Sequence, residues 1–362
     1  MRLTLFVDHA CNLACSYCYN GEKFRKPMSL STARKAVDLV QGMDSPLRQV
    51  SFFGGEPLLQ WDLIQEVTAY VRGVTEGHSV AMAVTTNGTL LTDPRLEWMR
   101  ENAFHVGVSL DGCEEAHNAT RPYGGGAPSA MDVTAGVRRL LSHGLPLKTV
   151  SVIDPANVDF LGQSFQYLLD LGVRDMSFNI NYEGAWDDAA RERFQAALER
   201  LSGAYVDAYS RGLSFKLNLL DSKIVTHVKM GFSCKDRCDF GCAEIAVSPS
   251  GRLYPCDRLV GEDSNDAVVI GTLDAGVDIA RRDRLVAEKN RELEECLDCD
   301  IVQRCMHWCG CVNYAMTGSV GEVDGLLCWF EQTVVLAADQ AAEILYREAN
   351  PGFLRRFYGG VQ

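Results

Sequence analysis

Cys11, Cys15 and Cys18 stand in the run Cys-Asn-Leu-Ala-Cys-Ser-Tyr-Cys-Tyr-Asn, a C-x3-C-x2-C spacing. Three thiolates are one short of a closed structural zinc site, which takes four ligands. They are also one short of a fully protein-held [4Fe-4S] cluster. A cluster held by three leaves one iron open to a substrate or cofactor, so the spacing points to a reaction centre. Further along, Gly54 and Gly55 precede Glu56 and Pro57. Two glycines let the backbone approach a ligand closely, and the carboxylate beside them can accept from an ammonium group. Thr85, Thr86, Asn87 and Gly88 form another polar segment, and Ser109, Asp111 and Gly112 a third. Their hydroxyl, amide and carboxylate groups suit a ribose and an amino acid moiety. Taken singly, each of these segments also reads as turn and cap chemistry.

These groups need elements to position them. Apolar runs at Leu3–Asp8, Gln49–Phe53, Val80–Thr85, His105–Leu110, Lys148–Ile153 and Asp175–Ile180 read as strands. Helical patterns follow at Ser31–Val40, Leu58–Val74, Pro94–Asn102, Met131–Ser142, Val158–Leu171 and Asp188–Arg211, with Ser29 and Ser31 as candidate N-caps for the first. Six strand–helix repeats imply a parallel α/β sheet, doubly wound or curled into a barrel. Ligands in such folds sit at the carboxyl ends of the strands. The three polar segments each follow a strand directly, so they are expected to converge on one face.

The chain has 362 residues, 47% hydrophobic and 23% charged, which reads as an ordinary globular composition. A chain of this length buries a core without disulfides, so its 14 cysteines need another explanation. No apolar stretch reaches the roughly 18 residues of a membrane span, and Met1 to Ala10 lack the features of a secretory signal. The expected compartment is therefore the reducing cytoplasm, where clustered cysteines bind metal. A net charge of -13 argues against nucleic acid as the main partner. Ten of the 14 cysteines lie between Cys234 and Cys328, where apolar periodicity weakens. The expected division is residues 1–230, a metal-organised segment at 231–330, and a tail at 331–362 whose helical pattern runs from Phe330 to Arg347.

The combination of C-x3-C-x2-C with Tyr17, Gly-Gly-Glu-Pro, Thr-Asn-Gly and Ser-Leu-Asp-Gly, in that order at successive strand ends, resembles the radical S-adenosylmethionine superfamily. The resemblance covers roughly the first half. It implies a partial (β/α)6 barrel of the TIM type, with Cys11, Cys15 and Cys18 holding a [4Fe-4S] cluster whose open iron takes the methionine moiety of S-adenosylmethionine. It places Gly54, Gly55 and Glu56 at the methionine amino group and Tyr17 near the adenine. Thr86 and Asn87 belong to the same cofactor-binding set, and Ser109 and Asp111 lie where the family contacts ribose or carboxylate. The C-terminal run C-x2-C-x5-C-x3-C, together with Cys242, Cys256 and Cys328, is similar to the SPASM extension, a cysteine-rich iron–sulfur domain with two auxiliary [4Fe-4S] clusters. By that pattern the first auxiliary cluster uses Cys238, Cys242, Cys256 and Cys309, and the second Cys296, Cys299, Cys305 and Cys328. Cys234, Cys238 and Cys242 compete for two upstream positions, and Cys311 competes with Cys309. A pair of structural zinc sites is the alternative for the same cysteines.

Two further residues are catalytic candidates. Cys113 lies near the expected active face, although reactivity requires an exposed thiol of lowered pKa. Asp257 follows Cys256 where anaerobic sulfatase-maturating enzymes carry an acidic residue, and its other reading is a capping residue. His117 and Arg121 form a His-x3-Arg arrangement expected to stabilise the loop or bind substrate. The resemblance thus implies an enzyme that forms a 5′-deoxyadenosyl radical and abstracts hydrogen from a residue of a peptide or protein. The product would be a crosslink, thioether, oxidised side chain or epimer in a ribosomally made peptide. Formylglycine formation in a sulfatase is the nearest alternative, and a non-catalytic zinc-stabilised binding module is the alternative from another class. The expected partners are a one-electron donor of flavodoxin or ferredoxin type and, because the first strand begins near residue 3, either a separate leader-peptide-binding protein or a substrate that is not recognised through a leader.

Overall fold

The structure, a computed structural model, describes residues 1–75, 79–233 and 237–359. Strand and helix alternate through β1 (Arg2–Phe6), α1 (Leu30–Gln41), β2 (Gln49–Phe53), α2 (Trp61–Val74), β3 (Ala81–Thr86), α3 (Asp93–Glu101) and β4 (Phe104–Ser109). They continue through α4 (Glu114–Thr120), α5 (Ala130–Ser142), β5 (Leu147–Ile153), α6 (Leu161–Leu171), β6 (Asp175–Ile180), α7 (Asp188–Ser210), β7 (Lys216–Leu217) and α8 (Asn218–Val228). The six expected strands are all present, their ends displaced by no more than two residues. The helices expected from Leu58 and Val158 begin with tighter turns at Pro57–Gln60 and Val158–Phe160. Ser29 is the N-cap of α1, accepting from Thr32 N, whereas Ser31 lies inside the helix.

The remaining elements are β8 (Glu244–Val247), β9 (Arg252–Tyr254), β10 (Gly271–Thr272), β11 (Gly276–Val277), α9 (Ile279–Lys289), α10 (Gly310–Thr317), α11 (Gly325–Arg347) and α12 (Pro351–Phe357). Two compact units result, and neither is continuous in sequence. The first comprises Met1–Ser109, Pro122–Leu147 and Asp239–Lys289; the second comprises Leu110–Arg121, Lys148–Cys238 and Asn290–Gln362.

In the first unit, β1 to β4 pair in parallel, Leu5 standing opposite Phe52 and Val84 opposite Val106. The other edge of β1 is taken by β8, also parallel, with Leu5 opposite Val247. The strands therefore do not close into a ring. Leu3 to Phe6 are buried without alternation, as in a parallel strand covered on both faces. The strands β9, β10 and β11 then continue antiparallel. This pairing is why residues 239–289 cluster with the N-terminal strands in the first unit.

In the second unit, β5, β6 and β7 are parallel. The long helix α11 packs on α7 and α8. Its Phe330 meets Phe194 edge-on at 4.9 Å and Trp186 at 5.0 Å. Its Glu331 carboxylate reaches Lys223 of α8 at 2.6 Å, both side chains being buried. Among the described residues no helix is long and apolar enough to cross a membrane.

Candidate active site

The loop after β1 carries Cys11, Cys15 and Cys18, all partly accessible and none in a disulfide. A buried carboxylate organises its entry. Asp8 Oδ1 accepts from Ala10 N and Lys26 N, at 3.2 and 2.8 Å, and Oδ2 accepts from Gln60 Nε2 at 2.7 Å. On one side residues 12–14 run along residues 122–124, with Ala14 N donating to Pro122 O and Gly124 N to Asn12 O. On the other side the loop lies directly on the two glycines after β2. Gly55 N donates to Asp8 O and Glu56 N to Ala10 O. A Cβ on Gly55 would stand 2.2 Å from Ala10 O, and one on Gly54, whose φ is +136°, 2.5 Å from Asp8 O. Here the glycines make room for the cysteine loop itself.

Glu56 is fully buried. Its Oε1 accepts from Thr86 Oγ1 at 2.7 Å and Leu58 N at 2.9 Å, and its Oε2 accepts from Asn87 N at 2.7 Å. Burial pushes the carboxyl pKa up, and these hydrogen bonds pull it back. Asn87 carries the network onward, its Nδ2 donating to Asn12 Oδ1 at 2.7 Å and lying 3.8 Å from Cys11 Sγ. The three motifs at the ends of β1, β2 and β3 are therefore one hydrogen-bonded assembly. Thr86 and Asn87, read as ligand-facing groups, spend much of their capacity on Glu56 and the cysteine loop. Asn20 was not singled out from the sequence. Its Nδ2 donates to Gly54 O at 2.8 Å, and its buried Oδ1 has no hydrogen-bond partner among the described residues.

The donor set fits an iron–sulfur cluster. Cys11 Sγ accepts from Leu13 N at 3.4 Å, and Cys18 Sγ lies 2.8 Å from the Lys23 ammonium. Such donors stabilise ligand thiolates. Burial pushes the free Cys11 thiol up to about 11, so the cationic irons are what would draw out its thiolate. Among the described residues no three Cys, His, Asp or Glu side chains converge on a single-ion site. In a cluster, each thiolate would take a separate iron. Tyr17 and Ser109 are half-buried.

Asp111 has a different environment from the one the motif suggests. It is buried, and its oxygens are engaged inside the second unit. Oδ1 accepts from Val152 N at 2.8 Å and stands 3.0 Å from Arg121 Nε; Oδ2 accepts from Thr120 Oγ1 at 2.8 Å. Burial pushes His117 down to about 4, so its ring is neutral at pH 7, with Nδ1 3.3 Å from Asp111 N. The His-x3-Arg pair thus supports the loop. Cys113 precedes α4 as its N-cap residue, is 3% exposed, and has Ser164 Oγ 3.7 Å from its sulfur. Burial raises its thiol pKa, the opposite of what a nucleophile needs. We expect Cys113 to resist iodoacetamide at pH 7.5 in the folded protein and to react once denatured; peptide mass mapping reads the difference.

The later cysteines divide between the units. In the first, Gly241 N donates to Pro255 O, which brings the backbone beside Cys242 next to that beside Cys256. Asp257 follows, with Oδ1 accepting from Arg258 N at 2.9 Å and 3.5 Å from Cys256 Sγ. Burial pushes its carboxyl up. This segment packs on the first cysteine loop: the Arg258 guanidinium lies over the Tyr19 ring at 5.1 Å, Glu262 Oε1 accepts from Glu22 N, and Asp263 pairs with Lys26. Asp257 thus sits beside the first cysteine loop. In the second unit, the Cys328 thiol is raised by burial and then by Cys296 and Cys299, and Cys305 by burial, Glu331 and Cys328. These four are therefore neighbours. Cys309 and Cys311 lie 3.5 Å apart, so proximity does not separate them as candidates. Cys238 is half-buried in the second unit, and Cys234 falls outside the described residues.

Residues 7–159 match the family described as Radical SAM superfamily. An uncharacterized protein of Methanocaldococcus jannaschii is 34% identical over 49% of the chain and 62% of its own length. The serine-type anaerobic sulfatase-maturating enzyme of Klebsiella aerogenes is 25% identical over 84% of the chain and 78% of its own length. The PqqA peptide cyclase of Gluconobacter oxydans is 25% identical over 90% and 89%. Among solved structures, native anSMEcpe with bound AdoMet superposes with a TM-score of 0.81 at 19% identity, covering 96% of this chain and 99% of that one. SuiB of Streptococcus suis bound to precursor peptide SuiA gives 0.64 at 15%, covering 90% and 75%. These two likenesses concern the fold.

Proposed function

We propose that the chain, whose residues 7–159 match the Radical SAM superfamily, is an enzyme of that superfamily that abstracts hydrogen from a residue of a peptide substrate during peptide maturation. The observation that carries this reading is the single network running from Glu56 through Asn87 to Cys11, beside the Cys15 and Cys18 ligands. Cys11, Cys15 and Cys18 would hold the cluster, which when bound supplies the electron that cleaves S-adenosylmethionine to methionine and a 5′-deoxyadenosyl radical. The chain's own residues bind and orient. Glu56 retains acceptor capacity on Oε2, and Asn20 Oδ1 is a second buried acceptor beside Gly54; both suit the methionine ammonium.

In the same reading Cys238, Cys242, Cys256 and Cys309 hold one auxiliary cluster of a SPASM segment. Cys296, Cys299, Cys305 and Cys328 hold the other, supported by the mutual proximity of these last four. A cytoplasmic flavodoxin or ferredoxin would deliver the electron. The peptide substrate is supported by relatives named for peptide cyclisation. Sulfatase maturation is the second reading. It is favoured by Asp257, a half-buried carboxylate beside the cluster loop, its pKa raised by desolvation, that is suited to take a proton from an oxidising side chain.

Iron and sulfide analysis after anaerobic purification tests the cofactor content. We expect about 12 irons per chain, falling to about 8 when Cys11, Cys15 and Cys18 become Ala. About 4 irons with zinc would reduce the second cysteine set to a structural role. To separate the substrates, the protein is incubated with short peptides encoded beside its gene and with a sulfatase-motif peptide. Loss of two hydrogens without hydrazide-reactive aldehyde supports the first reading, and a trapped aldehyde in the sulfatase peptide supports the second.

A further inference from the structure

From the position of Lys23 we infer a residue that sets the reduction potential of the N-terminal cluster through its charge on Cys18. The inference rests on the cluster assignment proposed above. Lys23 Nζ lies 2.8 Å from Cys18 Sγ, and a second hydrogen bond, 3.0 Å to Gly21 O, fixes the ammonium in place. The turn that presents it is itself held. Gly21 has φ +69°, and its N donates to Cys18 O. Glu262 fills the space a Cβ would need at Gly21, while its Oε1 accepts from Glu22 N. Lys23 therefore meets the sulfur from a turn anchored to a different part of the chain, not from a freely swinging surface side chain.

The donors at Cys11 are neutral groups, a backbone N–H and an amide. At Cys18 the donor is a full positive charge. A hydrogen bond from an ionised donor is stronger than a neutral one. Reduction adds a negative charge to the cluster, and a nearby cation stabilises the reduced form. Net charge and hydrogen bonds to sulfur are among the factors that set the potentials of such clusters. Lys23 is thus a positioning residue acting through Cys18. It makes the cluster easier to reduce.

The test is a redox titration followed by electron paramagnetic resonance on anaerobically purified wild type, Lys23→Gln and Lys23→Arg. The signal followed is the one absent from the Cys11→Ala/Cys15→Ala/Cys18→Ala protein. At a solution potential near the wild-type midpoint, Lys23→Gln is expected to lower the reduced-to-oxidised ratio about threefold or more, with Lys23→Arg close to wild type. An unchanged ratio in Lys23→Gln with full iron content would overturn the inference and leave the radical function standing. Loss of the signal in Lys23→Gln but not in Lys23→Arg would make Lys23 an anchor of the loop and also overturn it. If the wild type shows no signal that the triple variant lacks, the cluster assignment itself fails.

Discussion

Gly55→Ala protein purified without oxygen is expected to contain about four irons fewer per chain than wild type, because the substitution expels the N-terminal cluster. The added methyl carbon would lie 2.2 Å from Ala10 O, 2.6 Å from Ala10 C and 2.7 Å from His9 O. All three are backbone atoms, so no side-chain rotation relieves the clash. Relief requires residues 9 and 10 to move, and Cys11 is the next residue. The same displacement breaks the Glu56 N to Ala10 O hydrogen bond and withdraws Cys11 from Asn87. Gly73, in α2, is the control: among the described residues nothing lies within 4 Å of its Cβ position. Gly73→Ala is expected to keep full iron and to gain about 0.5–1 kcal/mol from helix propensity. Iron and sulfide assays on the two variants check the contrast. Equal iron content in both would mean that the cysteine loop is not held as described.

Glu331→Ala is expected to destabilise the protein by about 3–5 kcal/mol, the usual result of leaving one partner of a buried ion pair unpaired. Lys223 and Glu331 have side chains only 4% exposed and meet at 2.6 Å. Glu331 Oε2 also accepts from Met306 N at 2.8 Å, and Lys223 Nζ donates to Arg304 O at 3.2 Å. Those two backbone groups flank Cys305. The pair therefore joins α8 to α11 and fixes a predicted ligand of the second auxiliary cluster. Thermal unfolding under argon should show a large fall in the midpoint for Glu331→Ala. The double variant Lys223→Met/Glu331→Leu removes both charges and should recover much of that loss. A double variant as unstable as the single one would contradict an electrostatic origin for the effect.

The first half of the fold was legible because each strand is a short apolar run and α1, α2, α5 and α6 have strong periodicity. Phe52 and Val50 alternate with half-buried neighbours, and α1 begins at a serine that caps it. The later strands gave little signal. β10 and β11 are two residues each and lie among glycines, and β8 owes its place to pairing with β1 rather than to its own pattern. The start of α11 was missed by five residues because Gly325 and Cys328 read as part of the cysteine-rich segment, although Asp324 caps it. The same limit applies to the site. Cysteine spacing marks candidate ligands, because few other arrangements use thiols at those intervals. The supporting residues do not declare themselves: Asp8, Asn20, Lys23 and Glu331 act through contacts 18 to 108 positions away or through a turn that spacing does not predict. Asp111 shows the converse. Its motif suggested a ligand contact, while its carboxylate is satisfied by Val152, Thr120 and Arg121.

The most direct test of the radical assignment needs no peptide. Protein purified and kept anaerobic is mixed with S-adenosylmethionine and dithionite, and 5′-deoxyadenosine is quantified by mass spectrometry. The account predicts its release by wild type and its absence with the Cys11→Ala/Cys15→Ala/Cys18→Ala protein. No 5′-deoxyadenosine from iron-loaded wild type, or equal amounts from both proteins, would contradict it.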